Sequence, residues 1–547
     1  MIRADAIVVG AGLAGLTAGA YLARAGRAPL VLEKGPACGG LAQSFARDGF
    51  VFDAGPRAFG NAGILKPLLA ELGIDLPLVP GLVSTGIAGE IVHFDAGADG
   101  GGDGAAAYLD SLRRLFPAEA RAIAALGRLI GACGALARTL NRLPNPYFRN
   151  PLSDLGYLAT SFLPWLPSFL YAALKTGIDR RPIEAVLDAL SADRAFKDLV
   201  AQHFFKGTPY SFALGYFENF RDYWYPLGGT GRLADALAEY IVDRGGRIAT
   251  GIEVVAVDAA ARSLVDQRGG EYAYRELLWA ADLRSLYARA PAGGLKPGTA
   301  RAVEAEGRRY LAAAPGESVF SLFLAVDESP DYFRRISRGH FIYTPRTDGL
   351  GASRREGLAR LKADFDTVGA DGLRAWAKDF CARNSYEIAI PALKDASLAP
   401  AGKTGLAVSL LFDGELCTLA DSRGRLRELS DAVAEAMAET LDATVYPGVR
   451  AKLLFSLPST PQGLAKRFNT SGGAITGWSL ESRPPVPASL LAIASAGRTA
   501  YPGILKAGQW SYSPSGVPVA ILTGRIAAGK MLSRLGRPGR AGRPGRG

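Results

Sequence analysis

The first thirty-three residues constrain the fold more than any other stretch of this chain. Ala4-Asp5-Ala6-Ile7-Val8-Val9 is apolar and ends in β-branched residues, the pattern of a short buried parallel strand. Gly10-Ala11-Gly12-Leu13-Ala14-Gly15 follows, a G-x-G-x-x-G run. From Leu16 to Arg24, Ala and Leu recur at helical spacing, and Gly26 stops the helix. Leu30-Val31-Leu32 is a second apolar strand and ends at Glu33. Strand, glycine turn, helix, strand and acid in that register predict a β-α-β unit built to hold a dinucleotide. Gly10 permits the tight turn, Gly12 lets backbone approach a pyrophosphate, and Gly15 allows close packing of helix on strand. The helix start supplies free N–H groups and partial positive charge for the phosphates. Glu33 can accept hydrogen bonds from a ribose 2′-hydroxyl, and its charge repels a 2′-phosphate.

Composition removes most other classes. The chain has 547 residues, 48% of them hydrophobic and 21% charged, which fits a globular protein of two to four structural units. Four cysteines (Cys38, Cys133, Cys381, Cys417) lie far apart with no C-x-x-C pair, as expected for reduced thiols. Three histidines and no H-E-x-x-H leave no ground for a metal centre, and G-x-S-x-G is absent too. The net charge of +11 calls for a basic region. No zinc-ligand spacing or RNP-type aromatic run accompanies it, so no nucleic acid partner is expected. The apolar N-terminal strand lacks the basic lead-in of a signal peptide, so the expected location is the cytoplasm.

Further stretches identify the dinucleotide by resemblance. Gly39-Gly40 comes six residues after Glu33, and Phe52-Asp53-Ala54-Gly55-Pro56-Arg57 follows. This combination resembles the glutathione-reductase-like flavoprotein superfamily. Leu277-Leu278-Trp279-Ala280-Ala281-Asp282 looks like its returning strand and turn. Ser515-Gly516-Val517-Pro518 and the helix after it look like the segment that points a helix start at the flavin ring. Tyr225-Pro226-Leu227-Gly228-Gly229 and Gly473-Ala474-Ile475-Thr476-Gly477-Trp478 bring the likeness closer to phytoene desaturases, carotenoid isomerases and retinol saturases. Two departures stand against a carotenoid desaturase: Leu41 follows the glycine pair where a base is common, and Trp510–Pro514 replaces a glycine-rich run.

The resemblance implies an α/β fold: a glutathione-reductase-like FAD-binding Rossmann domain with an interleaved mixed α+β substrate domain. The expected FAD-binding pieces are 1–95, 225–290 and 490–533, and 96–224 and 291–489 form the substrate domain. FAD is the implied cofactor, with Gly10, Gly12, Gly15, Glu33, Gly39, Gly40, Asp282, Gly516 and Val517 as its binding residues. No catalytic acid or base stands out, and nothing in the sequence indicates an oligomeric state. The implied enzyme is an FAD-dependent oxidoreductase that desaturates, saturates or isomerises C=C bonds of an apolar polyene or isoprenoid-like substrate. Two alternatives stay open: an amine-oxidase-like flavoenzyme on a small amine, and a non-catalytic FAD-containing binding protein.

Several segments carry narrower expectations. Leu155–Leu174 contains no charged residue but is interrupted by Gly156, Pro164 and Pro167. It reads as a lid over a substrate channel, or as an interfacial segment that dips into a leaflet, rather than a spanning helix. Six bases against two acids between Arg138 and Arg181 favour contact with anionic lipid, peripheral at the inner face of the membrane. His203, among Phe204, Phe205, Tyr210 and Phe212, reads as a core histidine. Leu109–Leu143 reads as mostly helical, and Arg334–Arg360 as an exposed basic loop. Arg534–Gly547, with five arginines and no acid, reads as a disordered tail.

Overall fold

The structure is a computed structural model and describes residues 1–94, 104–143, 145–148, 154–176, 180–351 and 356–536. Two seven-stranded sheets organise it.

In the first sheet, Ile2–Val9 lies between Leu30–Leu32 and Glu271–Trp279, parallel to both. Arg247–Ala249 extends one side and Ile504–Lys506 the other, again parallel. Ser263–Asp266 and Val254–Asp258 add an antiparallel edge. The strands are apolar on both sides because helices cover both faces. On one face the N-terminal helix Leu13–Arg24, the helix Gly231–Asp243 and the C-terminal helix Val517–Leu535 enclose a core that includes Val8, Leu278 and Leu505. On the other, Ile7, Leu277 and Trp279 pack with Leu286, Val303, Tyr310, Trp478 and Trp510.

The second sheet runs Leu453–Ser459, Ser318–Val326, Thr404–Phe412, Tyr386–Ala389, His340–Thr344, Val83–Ile87, Glu90–Phe94. All pairs are antiparallel except His340–Thr344 with Val83–Ile87. One face buries Leu322, Leu324, Leu406, Val408 and Ile388 beneath the helices Ala370–Arg383 and Leu426–Thr444. The other face looks toward the first sheet, and Phe50–Asp53 bridges the gap: Phe50 and Phe52 pack on Phe323, Ala389 and Ala407.

Sheet membership shifts the expected segment boundaries. Val83–Phe94, inside the 1–95 piece, belongs to the second sheet. Pro297–Ala312 and the Ala474–Trp478 stretch, both inside the 291–489 piece, pack on the first. Short local patterns do not reveal which distant sheet a strand joins. Arg334–Arg360 is corrected as well: His340–Thr344 is an interior strand with Phe341 and Tyr343 buried. The surrounding arginines hide its alternation. Leu109–Leu143 divides into Gly104–Leu115 and Ala120–Arg142, with Pro117 at the break. At the tail, Leu535 still belongs to the C-terminal helix, and its carbonyl accepts a hydrogen bond from Arg27 Nη2. Residues 537–547 lie outside the described residues.

Leu155–Tyr157, Leu158–Phe162 and Leu163–Thr176 follow one another as consecutive helical turns. The turn Leu158–Phe162 is widened to π-type immediately before Pro164. That widening relieves the clash between a proline ring and the carbonyl four residues earlier. The segment is not buried as a lid would be. Trp165 stacks on Phe169 at 4.6 Å and donates to the Thr139 carbonyl at 2.6 Å, which fixes it on Ala120–Arg142. Leu155, Leu163, Leu170 and Tyr171 are each at least half exposed. Beneath them, Pro117–Arg142 is long and apolar enough to cross a membrane by length and composition.

Candidate functional site

In the first sheet, Val9, Leu32, Ala249, Trp279 and Lys506 are cross-strand neighbours, so the carboxyl ends of five parallel strands form one edge. In open α/β sheets the crevice outside this edge is where ligands bind. The loops that define it are tied together by backbone bonds. Gly10 N–H donates to the Leu32 carbonyl at 2.8 Å, and Gly39 N–H to the Ala11 carbonyl at 2.8 Å.

The three glycines of the first loop differ in what surrounds them. Gly10 has φ +98°, and a Cβ there would lie 2.9 Å from the Ala280 carbonyl oxygen. A Cβ on Gly15 would lie 1.9 Å from the Gly10 carbonyl oxygen, so helix and turn are in direct contact. Gly12 is the opposite case: nothing lies within 4 Å of its would-be Cβ. Gly10 and Gly15 are fixed by the protein's own packing, whereas Gly12 faces open space at a helix start. That open position is the cradle a side chain would fill.

Glu33 and the glycine pair close the other side. Glu33 Oε2 accepts from Ala11 N–H at 2.7 Å, and Oε1 from Gly35 N–H at 2.7 Å. Each oxygen keeps a second lone pair. Gly39 and Gly40 adopt φ +108° and +55°, and a Cβ on Gly40 would lie 3.3 Å from Gly12 Cα. The fold thus brings Gly10, Gly12, Gly15, Glu33, Gly39 and Gly40 to one edge.

The C-terminal helix runs alongside the N-terminal one. A Cβ on Gly524 would meet the Ala14 carbonyl at 2.3 Å, and Arg27 bonds the Leu535 carbonyl. Gly516 and Val517 stand seven or eight residues ahead of this crossing. At 1.5 Å per residue, the helix start projects about 10 Å beyond it, over the same edge. Gly516 is extended and its would-be Cβ meets only Pro518 Cδ, at 4.0 Å. Asp282 has a different setting. It is 5% exposed, Oδ1 accepts from Arg284 N–H at 2.8 Å, and Oδ2 accepts from Ser471 N–H at 2.6 Å. Burial raises its pKa. Its carboxylate caps Leu283–Arg289 and fastens the Ser471 backbone, while the preceding Ala280 backbone lies against Gly10.

Other residues of the site escape sequence reading. Asp53 is 1% exposed and accepts four hydrogen bonds, from Ser44 Oγ (2.8 Å), Thr230 N–H (2.8 Å), Thr230 Oγ1 (2.9 Å) and Tyr225 hydroxyl (2.8 Å). It therefore joins the glycine-pair loop to Tyr225–Gly231. Arg57, also buried, donates to the Asp53 carbonyl at 2.6 Å and reaches Ser409 Oγ on the second sheet. Lys394 Nζ donates to the Arg57 carbonyl at 2.6 Å and sits 4.4 Å above the Tyr225 ring. Burial lowers its pKa to about 8. The Phe52–Arg57 run carried the family likeness, yet its acid and base had no assigned role until the fold placed them.

His203 is neutral, with burial pushing its pKa down to about 4, and its ring lies beside Phe204. All four cysteines are free thiols. Among the described residues no cluster of His, Cys, Asp and Glu could hold a metal.

Comparison with known proteins agrees with this geometry. The sequence profile of flavin containing amine oxidoreductases matches residues 13–348. A chloroplastic prolycopene isomerase of Daucus carota is 23% identical over 555 residues, covering 97% of this chain and 80% of that protein. An all-trans-retinol 13,14-reductase of Danio rerio is 25% identical over 268 residues, 45% of this chain and 40% of that protein. The fold matches the crystal structure of an oxidoreductase from Methanosarcina mazei with a TM-score of 0.58 and 15% identity, covering 95% of this chain and 98% of the other.

Proposed function

Since the chain belongs to the flavin-containing amine oxidoreductase family, and is thus an FAD-dependent oxidoreductase, we propose that it acts on C=C bonds of an apolar polyene or isoprenoid-like substrate. The observation that carries this reading is the end-to-end likeness to a prolycopene isomerase, which no short motif could produce. The likeness to an all-trans-retinol 13,14-reductase points to the same substrate chemistry.

In this reading the crevice holds the FAD. The open position at Gly12 admits the pyrophosphate to the start of the N-terminal helix. Glu33 uses its remaining lone pairs for ribose hydroxyls, and Gly39 and Gly40 keep the neighbouring backbone low enough for the cofactor to pass. Gly516 and Val517 present the N–H groups of a 19-residue helix, whose dipole favours negative charge above it. Asp282 acts at one remove, by holding the Ala280–Asp282 turn. When bound, FAD supplies two-electron redox chemistry. The protein's part is to bind and orient the substrate against the cofactor and keep water out.

The same reading includes contact with an anionic membrane surface. An apolar substrate partitions into lipid, and the exposed Leu155, Leu163, Leu170 and Tyr171 lie near Arg142, Arg180 and Arg181 in sequence. Trp and Tyr suit the headgroup depth, and each nearby base adds roughly 1 kcal/mol on an anionic surface.

The test is direct. FAD-loaded protein is incubated separately with prolycopene, all-trans-retinol and putrescine, and the extracts are analysed by chromatography and mass spectrometry. A shifted isomer or a two-hydrogen mass change with a polyene supports the reading. Oxidation of the amine with both polyenes unchanged overturns it.

A further inference from the structure

Beside the apolar patch of Phe323, Ala389 and Ala407, the inner face of the second sheet carries a largely polar row. Cross-strand pairing sets Thr85, Ile342, Glu387, Ser409 and Ser321 side by side across five strands. Cross-strand partners point to the same face, so this row looks away from the apolar core that holds Leu322, Val408 and Ile388.

Glu387 stands in the middle of that row, on an interior strand. Even so, its side chain is 46% exposed, while His340 beside it is 6% exposed. The carboxylate is therefore accessible although its strand is flanked by a neighbour on each side. His340 Nε2 lies 3.1 Å from Glu387 Oε1, and the ring is stacked on Tyr223 at 5.8 Å and 15°. Both His340 ring nitrogens are buried and neither meets hydrogen-bond geometry, so the Nε2–Oε1 approach is a close electrostatic contact.

The surrounding charges come from other elements. Arg57 and Lys394 both act on Glu387, as do the more distant phenols of Tyr216 and Tyr223. Arg57 lies on the segment that runs from the glycine-pair loop: a Cβ on Gly55 would be 2.0 Å from the Leu41 carbonyl. The cluster is therefore adjacent to the crevice. Burial alone would raise the Glu387 pKa, but the adjacent His340 ring and the nearby cations outweigh it and hold the carboxyl below its ordinary range. Burial lowers His340 more than Glu387 raises it.

We propose that Glu387, backed by His340, is the group that exchanges a proton with a carbon of the substrate's polyene chain. The inference rests on the polyene reading. In the addition sense, Glu387, ionised at rest, first takes a proton from solvent. That carboxyl O–H bond then breaks and a C–H bond forms with the π pair of one C=C bond, leaving a cation on the neighbouring carbon. In an isomerisation, rotation follows and that carbon gives a proton back to the carboxylate, either the added one or the hydrogen it already carried. Product formed in deuterium oxide thus acquires label with no oxidant or reductant consumed. In a reduction, bound reduced FAD would supply the hydride that closes the cation, and Glu387 would supply only the proton. His340, in contact with Glu387, positions that carboxylate and favours its ionised form.

The test uses FAD-loaded protein in deuterium oxide with prolycopene and all-trans-retinol as probes. The wild type should give product carrying solvent deuterium. Glu387→Gln should slow turnover about 100-fold or more and remove the label, with FAD content unchanged, and Glu387→Asp should restore part of both. Independently of turnover, NMR of histidine-labelled protein, with His340 assigned through His340→Gln, should show its titration midpoint fall in Glu387→Gln. An unlabelled wild-type product, or Glu387→Gln protein with wild-type rate and label, overturns the proposal. So does an unmoved His340 midpoint. A wild type inert toward both polyenes overturns the polyene reading itself, and the proton role with it.

Discussion

Gly12 and Gly15 lie three residues apart, at the cap and in the first turn of the N-terminal helix, and the structure predicts opposite consequences for the same change. Gly15→Ala places a methyl carbon 1.9 Å from the Gly10 carbonyl oxygen. Real contacts of this kind need more than 3 Å, so helix and turn must separate by over 1 Å. Overpacking of that kind costs about 1–3 kcal/mol, and here the atom displaced is backbone, which puts the expectation at the upper end. Gly12→Ala meets no atom within 4 Å, at φ −72° and ψ 173°, a conformation open to any residue. Without ligand, the reduced freedom of the unfolded chain should leave stability unchanged or raise it by up to about 1 kcal/mol. The added methyl instead takes the space assigned to the pyrophosphate. Weakening FAD affinity about 10- to 100-fold corresponds to about 1.4–2.8 kcal/mol. The assay pairs urea unfolding of the FAD-free protein with fluorescence titration of FAD. The reasoning is refuted if Gly12→Ala binds FAD like the wild type, or if Gly15→Ala leaves the unfolding midpoint in place.

Three further outcomes follow from the same structure. Asp53→Ala removes an acceptor of four hydrogen bonds, three of them buried and one part-buried; at about 1.5–3 kcal/mol for a bond to a charged group, and allowing for non-additivity, the loss should reach at least about 4 kcal/mol in urea unfolding. Lys506 is 3% exposed beside Tyr310, and burial lowers its pKa to about 8. The unfolded chain therefore holds this proton over pH 8–10.5 where the folded chain has released it, so stability should rise with pH across that window by up to about 3 kcal/mol, and Lys506→Met should flatten the rise. A Leu163→Glu/Leu170→Glu double variant, at exposed positions, should unfold like the wild type but lose flotation with anionic liposomes; undiminished flotation removes the membrane contact.

The legible part of this protein is the part written in consecutive residues. The N-terminal strand, Gly10–Gly15, the helix and Glu33 lie within thirty-three positions, so their spacing alone predicts the crevice edge. The inner face of the second sheet is written differently. Thr85, Ile342, Glu387, Ser409 and Ser321 each come from a separate strand, and each is one polar or ordinary residue in an apolar stretch. Only register makes them a row. His340 was further hidden because basic flanks make its strand read as a loop. Asp282 shows the reverse case: its position in the returning turn is legible, but its two backbone partners, one nearly two hundred residues away at Ser471, are not.

The central claim, a flavin site that serves a polyene, is tested most directly by the absorption spectrum of the bound cofactor. FAD-loaded protein is titrated without oxygen, first with all-trans-retinol and prolycopene, then with putrescine. The account predicts that a polyene perturbs the flavin bands at saturable concentration and that the amine leaves them unchanged. Bleaching of the flavin by the amine, with no response to either polyene, would contradict it.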